Sequence, residues 1–520
     1  MLRLISIPLI LFSGTVYAQQ PADLLITNGR ILDGTGNSWY RGGVAIRGGK
    51  IVAVGNTSGY TATKTIDAKA NIIAPGFIDV HTHIEGEEAE QPTADNFILD
   101  GVTTVITGNC GASHTQVGRY LRWIDSIKLS VNVAILLGQN DVRKAVIGTA
   151  NRPATEAEIQ QMERMVDSAM QQGAVGLSTG LIYIPGAFTP TTEIIRLAKV
   201  AARYNGVYAT HMRDEGDKVA QAIDEALLIG REAAIPVQIS HFKVSGQQNW
   251  GRSAQTLQQV MDARRQGLDV TIDQYPYTAS STGINTLLPD AVLADGTDSI
   301  RSRLQRPEVR KAVTDYILAN LKKRKLKHIS YAVVAYHKAD TTYNGKSIEA
   351  INLLKGRKHK AAEEAQTVMD IVAAGGASAV FHGMSEEDVQ RIMRYPFNMV
   401  ASDASIRVMG KGVPHPRGYG TNARVLGKYV REEKVLTLEE AVRRMTSLPA
   451  QKFNLKNKGL LREGADADVV VFDEATVTDH STFEKPHQYS TGFNYVVVNG
   501  EVVVSDGKHT GVRSGRAVRR

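Results

Sequence analysis

The stretch NIIAPGFIDVHTH, residues 71–83, reads as a β-strand that runs directly into two histidines. Alternate residues of a strand point the same way, so His81 and His83 face one side of it. Seven further short apolar runs recur down the chain: VTTVIT (102–107), VNVAILLG (131–138), AVGLST (174–179), VYAT (207–210), PVQIS (236–240), DVTIDQY (269–275) and NMVAS (398–402). Helical patterns such as TEAEIQQMERMVDSAMQQG and TEIIRLAKVAARYNG follow several of them. Such alternation marks βα units and a parallel sheet. Eight strands with intervening helices suit a (β/α)8 TIM barrel better than an open sheet, so the expected class is α/β.

The two ends of the chain have another texture. LLITNGRILD and GVAIRGGKIVAVG near the start, and DADVVVFD and YVVVNGEVVVSDG near the end, alternate apolar and polar residues around Asn-Gly and Gly-Gly turns. That is the mark of hairpins. Chain termini often lie close together, so both segments are expected to form one small β-sandwich domain. The stretch after strand seven is too long for a single helix and reads as an insertion. The expected organisation is a signal segment at 1–18, a β-sandwich from 19–66 and 455–510, a barrel from 67–286 and 361–454, an insertion subdomain at 287–360, and a basic tail at 511–520. SEEDVQRIMRYP, with Ser385 and Asp388 in capping-box positions, reads as a helix just before strand eight.

Arg3, the apolar run Leu4 to Phe12 and the small residues ending at Val16-Tyr17-Ala18 read as a cleaved signal peptide, which implies a periplasmic or secreted protein. The run is too short for a permanent membrane anchor, so no integral membrane association is expected. Apolar content of 42% with 22% charged residues excludes global disorder, and the net charge of +8 is small for 520 residues. The basic cluster Lys322-Lys323-Arg324-Lys325-Leu326-Lys327-His328 follows the amphipathic run PEVRKAVTDYILANL. It reads as the cationic end of a helix, not as a nucleic-acid site, because no recognition motif accompanies it. The tail GVRSGRAVRR reads as a solvated end.

Strand two ends at Asn109-Cys110, strand five at His211, strand six at His241 and strand eight at Asp403. In a barrel the strand C-termini converge on one mouth, where the chemistry sits. A single histidine after a strand is ordinary, but four imidazoles, a thiol and a carboxylate at one rim form a constellation. Cys110 is the only cysteine, in a chain read as exported to an oxidising compartment. Coordination to a metal ion explains a thiol kept without a disulfide partner. Zinc suits imidazole and thiolate ligands; it polarises a carbonyl and brings bound water to about pKa 7. Asp403 is placed to take a proton from that water and hand it to a leaving nitrogen. The reaction class that follows is metal-assisted hydrolysis of a C–N bond. Gly176 to Gly180, GLSTG, also matches the nucleophile elbow G-x-S-x-G, but LIYIPGAFTP follows it where that motif needs a helix. Ser178 therefore reads as scaffold.

The segments APGFIDVHTH, VTTVITGNCG, GLSTGLIYIPG, YATHMRDEG, ISHFK, DQYPYTASST, SDAS, PHPRGYGTNARVLGKYVRE, MTSLPA and GADADVVVFD carry a resemblance over almost the whole mature chain. The sequence resembles the amidohydrolase superfamily and, within it, the D-aminoacylase (N-acyl-D-amino-acid deacylase) family. The resemblance implies one tight zinc on Cys110, His211 and His241, a second and weaker site at His81 and His83, and Asp403 as general acid/base. It implies a clamp for the α-carboxylate of a small N-acyl-amino-acid substrate, made of Tyr183, Lys243, Tyr275 and Arg417. The D-configuration rests on the resemblance alone. Many amidohydrolases bridge two metals with a carboxylated lysine on strand four, but this strand ends Ser178-Thr179-Gly180 and the thiol of strand two takes that place. The nearest rivals are a cyclic-amide hydrolase of dihydroorotase or hydantoinase type, which usually has that lysine, and a D-dipeptidase. The chain departs from the family pattern after His83, where Ile84-Glu85-Gly86-Glu87-Glu88 replaces an expected aspartate pair, and in a slightly long loop from Asp403 to Arg417. Glu85 and Glu87 are read as solvated loop charges rather than as carboxylates that orient histidines. His114, His382 and His415 are given no role.

Overall fold

The apolar run that opens the barrel divides at Gly76. In the computed structural model, which describes residues 19–520, Ile72–Pro75 joins the sheet of the chain ends and only Phe77–Asp79 enters the barrel. A Cβ on Gly76 would lie 2.2 Å from Thr103 Oγ1, so any side chain there would drive strand two away. The single strand expected over 71–80 is therefore two strands, one in each sheet.

The barrel strands are Phe77–Asp79, Val102–Thr107, Asn132–Ile135 continued by Leu137–Gly138, Gly176–Gly180, Val207–His211, Val237–Ile239, Val270–Gln274 and Asn398–Val400. They pair parallel in chain order. The ring closes between strands eight and one through a parallel bridge of Thr82 with Ala404, where Asp403 N donates to His81 O at 2.9 Å. The buried carboxylate of Asp79 pins this seam by accepting from the amides of His81 and Ser402. Successive residues alternate between two apolar environments. Ile78, Ile106, Ala134, Leu136, Val207 and Ala209 fill the interior, while Phe77, Val105, Val133, Ile135 and Tyr208 pack outward against the helices. Burial on both faces makes each strand an unbroken apolar run, which is why the strands are legible as such.

Both chain ends build one sheet, nine-stranded among the described residues, which meets where Ile72–Pro75 runs antiparallel to Val469–Phe472. Leu24, Ile26, Ile46, Ile73, Val469 and Val471 share its core. The insertion has its own three-stranded antiparallel sheet, Ala279–Gly283 with Ser378–His382 and Ala332–Tyr336, and its own apolar core. It reaches beyond 287–360 on both sides. The helix Ala361–Ala373 sends Ala365, Val368 and Met369 into that core, because its apolar face matches the insertion and not the barrel. Lys322 and Lys323 lie in the last turn of the helix Pro307–Lys323, and Lys323 pairs with Asp217 on the barrel side. Ser385 caps the helix Glu386–Met393.

The basic tail is not a solvated end. Val133 N donates to Arg516 O at 2.9 Å, Val518 N to Val133 O at 2.7 Å, and Arg519 pairs with Asp125 at 2.6 Å. The tail lies beside strand three because its backbone finds partners there. Among the described residues no helix is long and apolar enough to cross a membrane. The signal segment 1–18 lies outside the described residues.

Candidate active site

Strand two is followed by a tight turn that lifts Cys110 into the barrel mouth, with Ser178 Oγ accepting from Gly111 N at 3.1 Å. Ser178 Oγ also donates to Gly108 O. Both bonds lock the hydroxyl into the scaffold, as the absence of an elbow helix predicts. Cys110 Sγ lies 3.3 Å from His81 Nε2, 3.6 Å from His241 Nε2 and 3.7 Å from His211 Nδ1. His211 Nδ1 and His241 Nε2 are 2.8 Å apart. Across the mouth, Asp403 Oδ1 lies 3.2 Å from His83 Nε2 and 3.5 Å from His81 Nε2. Ligand atoms of three triplets converge within 4.8 Å: Cys110 with His211 and His241, Cys110 with His81 and His83, and Asp403 with His81 and His241. Cys110 therefore belongs to both expected metal sets. The donor chemistry fits zinc, since soft sulfur and borderline nitrogen converge and His81, His211 and His241 each turn a second nitrogen toward a carboxylate.

The charges reinforce one another. Burial works against a thiolate, yet His81, His211 and His241 together hold Cys110 well below the ordinary thiol range. Burial likewise opposes ionisation of Asp403, and Arg417, His81 and His83 overcome it, so the carboxylate is held well below its usual range. Arg417 Nη1 stands 2.9 Å from Asp403 Oδ2.

Three carboxylates escaped the sequence reading. Glu215 Oε1 lies 2.9 Å from His241 Nδ1 and 2.6 Å from Lys243 Nζ, and its Oε2 lies 3.7 Å from His211 Nε2. Burial opposes its charge, but Lys243 and the two rings hold it far below the carboxylate range. Asp273 accepts from His241 N at 2.7 Å and faces His81 Nδ1 at 3.4 Å. Glu88, fully buried, accepts from Tyr120 Oη at 2.7 Å and Gly86 N at 2.6 Å. Glu215 stands four residues after His211, and Asp273 two before Tyr275, so carboxylate spacing from the strand ends was the available signal.

Glu85 corrects an expectation. Its Oε1 accepts from Thr107 Oγ1 at 2.7 Å and Gly108 N at 2.8 Å, which makes it a clasp between the loop after His83 and strand two, not a solvated charge. Glu87 is half-buried and carries no such contact among the described residues. His415 braces the site from behind, accepting from Arg417 N at 3.0 Å and bonding Ala279 O through Nε2. His114 stacks on Tyr120, and His382 meets Phe483 edge-on.

A cavity of about 370 Å³ opens over this cluster. His83, Cys110, Tyr183, His211, His241, Lys243, Tyr275, Asp403 and Arg417 all line it, and His81 lies just behind with no exposed surface. Arg417 Nε and Nη1 make no aligned hydrogen bond among the described residues, and the guanidinium sits 4.5 Å over the Tyr275 ring. Nη1 is nonetheless ion-paired with Asp403 Oδ2 and Nη2 donates to Ser281 O at 3.4 Å, which leaves Nε as the open donor of a buried guanidinium suited to a planar carboxylate. Lys243 is committed to Glu215, and the Tyr183 hydroxyl to Thr282 Oγ1 at 2.9 Å.

The model of the amidohydrolase family matches residues 64–504. D-aminoacylase of Alcaligenes xylosoxydans xylosoxydans is 35% identical over 96% of this chain and 98% of its own length. A solved D-aminoacylase structure superposes with a TM-score of 0.83 at 35% identity, covering 96% of this chain and all of that one. The N-acyl-D-glutamate deacylase of Bordetella bronchiseptica, solved with zinc and a phosphonate that mimics the tetrahedral intermediate, superposes with a TM-score of 0.81 at 34% identity, covering 96% of this chain and 100% of that one.

Proposed function

This chain belongs to the amidohydrolase family, and from that premise we propose that it is a zinc-dependent deacylase that hydrolyses N-acyl-D-amino acids to a carboxylate and the free D-amino acid. The observation that carries the reading is Cys110 within 3.7 Å of both His211 and His241, in a barrel whose fourth strand offers no lysine. That thiol replaces the bridging group of the cyclic-amide hydrolases.

Cys110, His211 and His241 would hold the tightly bound zinc, and His81 with His83 a second, weaker site that shares the thiolate. Zinc bound there polarises the amide carbonyl and acidifies water. Arg417 receives the substrate's α-carboxylate, with Nε open, Nη1 shared with Asp403 Oδ2 and the Tyr275 ring beneath the guanidinium. Tyr183 and Lys243 line the same wall. Asp403 is ionised at neutral pH, so it accepts the proton of the attacking water at Oδ1 or Oδ2. It then returns that proton to the departing nitrogen, which leaves as an amine and not as an anion. Such proton transfer typically contributes about 10²- to 10⁴-fold to the rate.

The export signal supports a location beyond the inner membrane: Arg3, the apolar run to Phe12 and the small residues before Ala18 form its three parts. N-terminal sequencing of the mature protein tests the cut after Ala18. The enzymatic reading is tested by a panel of N-acetyl-D- and N-acetyl-L-amino acids with zinc-loaded protein. Turnover confined to D-members is expected, and turnover of no D-member overturns it.

A further inference from the structure

The insertion carries a second convergence of metal-binding groups that shares no residue with the barrel mouth. His328 follows the helix Pro307–Lys323, Glu349 lies in the first turn of Ile348–Leu354, His359 in the loop beyond it, and Glu364 in the first turn of Ala361–Ala373. One ligand atom of each falls within 4.8 Å of the other three. His328 Nδ1 is 2.6 Å from Glu364 Oε1 and 3.8 Å from Glu349 Oε1, and His359 Nε2 is 2.5 Å from that same Glu349 oxygen. The imidazoles stack with centroids 4.1 Å apart at 18°. Glu364 is fully buried, and its other oxygen accepts from Ile329 N at 2.6 Å.

Two separate His–Glu hydrogen bonds would account for each pair but not for both pairs pointing to one spot. Glu349 Oε1 faces one nitrogen of each stacked ring, at 3.8 and 2.5 Å. The barrel-mouth set has the same contracted form, with two imidazole nitrogens 2.8 Å apart. Zinc bonds of about 2.0–2.2 Å in a tetrahedron place neighbouring ligand atoms roughly 3.3 Å apart. Three of the separations, 2.5, 2.6 and 3.8 Å, straddle that value, and the others lie within 4.8 Å.

We propose that His328, Glu349, His359 and Glu364 form a structural zinc site that ties two helices and their connecting loops within the insertion. Four protein ligands close the shell, which separates a structural site from a catalytic one. Two carboxylates balance the charge of the ion, and Ile329 N supplies the outer contact that orients Glu364. Two imidazole nitrogens favour a borderline cation such as zinc over calcium or magnesium.

The test uses full-length protein and does not draw on the deacylase reading. Zinc per chain is measured after equilibrium dialysis for wild type, His359→Gln and Glu349→Gln. Position 359 is half-exposed, so its substitution leaves the fold intact. Either variant is expected to hold one zinc fewer than wild type. In Cys110→Ser protein, where both thiol-containing sets of the mouth are broken, added Co²⁺ should give tetrahedral absorption, and His359→Gln in that background should lower it by the share of the insertion site. Added zinc should raise the thermal midpoint of Cys110→Ser more than that of the double variant. Equal zinc content in wild type and both variants, or no Co²⁺ signal in Cys110→Ser, overturns the proposal.

Discussion

Replacing Glu215 with glutamine tests a carboxylate that the strand pattern did not reveal. Glu215 faces the outer nitrogens of two rings whose inner nitrogens face Cys110: His241 Nδ1 at 2.9 Å and His211 Nε2 at 3.7 Å. His211 Nε2 has no hydrogen-bond partner among the described residues, so this carboxylate is the charge that orients it. Glutamine keeps the shape but loses the charge. An outer carboxylate lost from a ligating histidine weakens metal binding about 10- to 100-fold, or about 1.4 to 2.7 kcal/mol. Lys243, 2.6 Å away and buried, also loses its counter-ion. Breaking a buried pair costs about 3–5 kcal/mol when the survivor stays charged, and Lys243 escapes part of this by shedding its proton. The zinc Kd is read by competition with a chromogenic chelator, and kcat is read at saturating zinc. The expected outcome is a Kd raised 10- to 100-fold with kcat restored to within about tenfold by excess zinc. A zinc Kd within about twofold of wild type would refute the orienting role.

Asp403→Asn should lower kcat by about 10²- to 10⁴-fold while the tight zinc stays in place, as metal analysis of the purified variant would register. Retained activity, or loss of the zinc, contradicts the assignment. Serine-directed phosphonates should leave the enzyme active and chelators should silence it, because Ser178 is bonded to the Gly108 and Gly111 backbone; the opposite pattern would restore the nucleophile-elbow reading. Burial pushes the Lys452 amine down to about 8, with Asp269 offsetting part of it. The unfolded chain then binds the extra proton between that value and the ordinary lysine range near 10.4, so the lysine's contribution to stability rises with pH across the window, by up to about 1.4 kcal/mol per pH unit. Urea midpoints of wild type and Lys452→Met should therefore converge or cross as pH rises from about 8 to 10, and parallel curves would disprove it.

What could be read in the sequence follows from what periodicity encodes. Strands buried on both faces announce themselves as apolar runs, and their ends mark the mouth, so His81, Cys110, His211, His241 and Asp403 were placed without a structure. Domain limits depend on which surface an amphipathic face meets. Nothing in Ala361–Ala373 says that its apolar side belongs to the insertion, and nothing in Ile72–Pro75 says that it pairs with Val469–Phe472 across almost the whole chain. The outer carboxylates were hidden for a similar reason. Glu215, Asp273 and Glu85 act through contacts between different strand ends, and an acidic residue in a loop looks the same whether it is solvated or locked.

The backbone at the site shows why these particular positions converge. Cys110, His241 and Asp403 all adopt left-handed conformations, at φ 52°, 35° and 51°. For residues with a Cβ each such conformation costs on the order of 1–2 kcal/mol, so three together at one rim require a compensating hold. The hold is visible in each case. His241 N is fixed by Asp273 Oδ1 at 2.7 Å, Asp403 N by His81 O at 2.9 Å, and the turn at Cys110 by Ser178 Oγ on Gly111 N. A left-handed residue just past a strand turns the chain sharply, and here it brings the thiol, the ring and the carboxylate into the mouth where a straight continuation would carry them past it. Asp273 thereby serves two ends at once, fixing the backbone of His241 and facing the ring of His81. Its removal should loosen both metal sets together, whereas loss of Glu215 should fall on the Cys110–His211–His241 set alone.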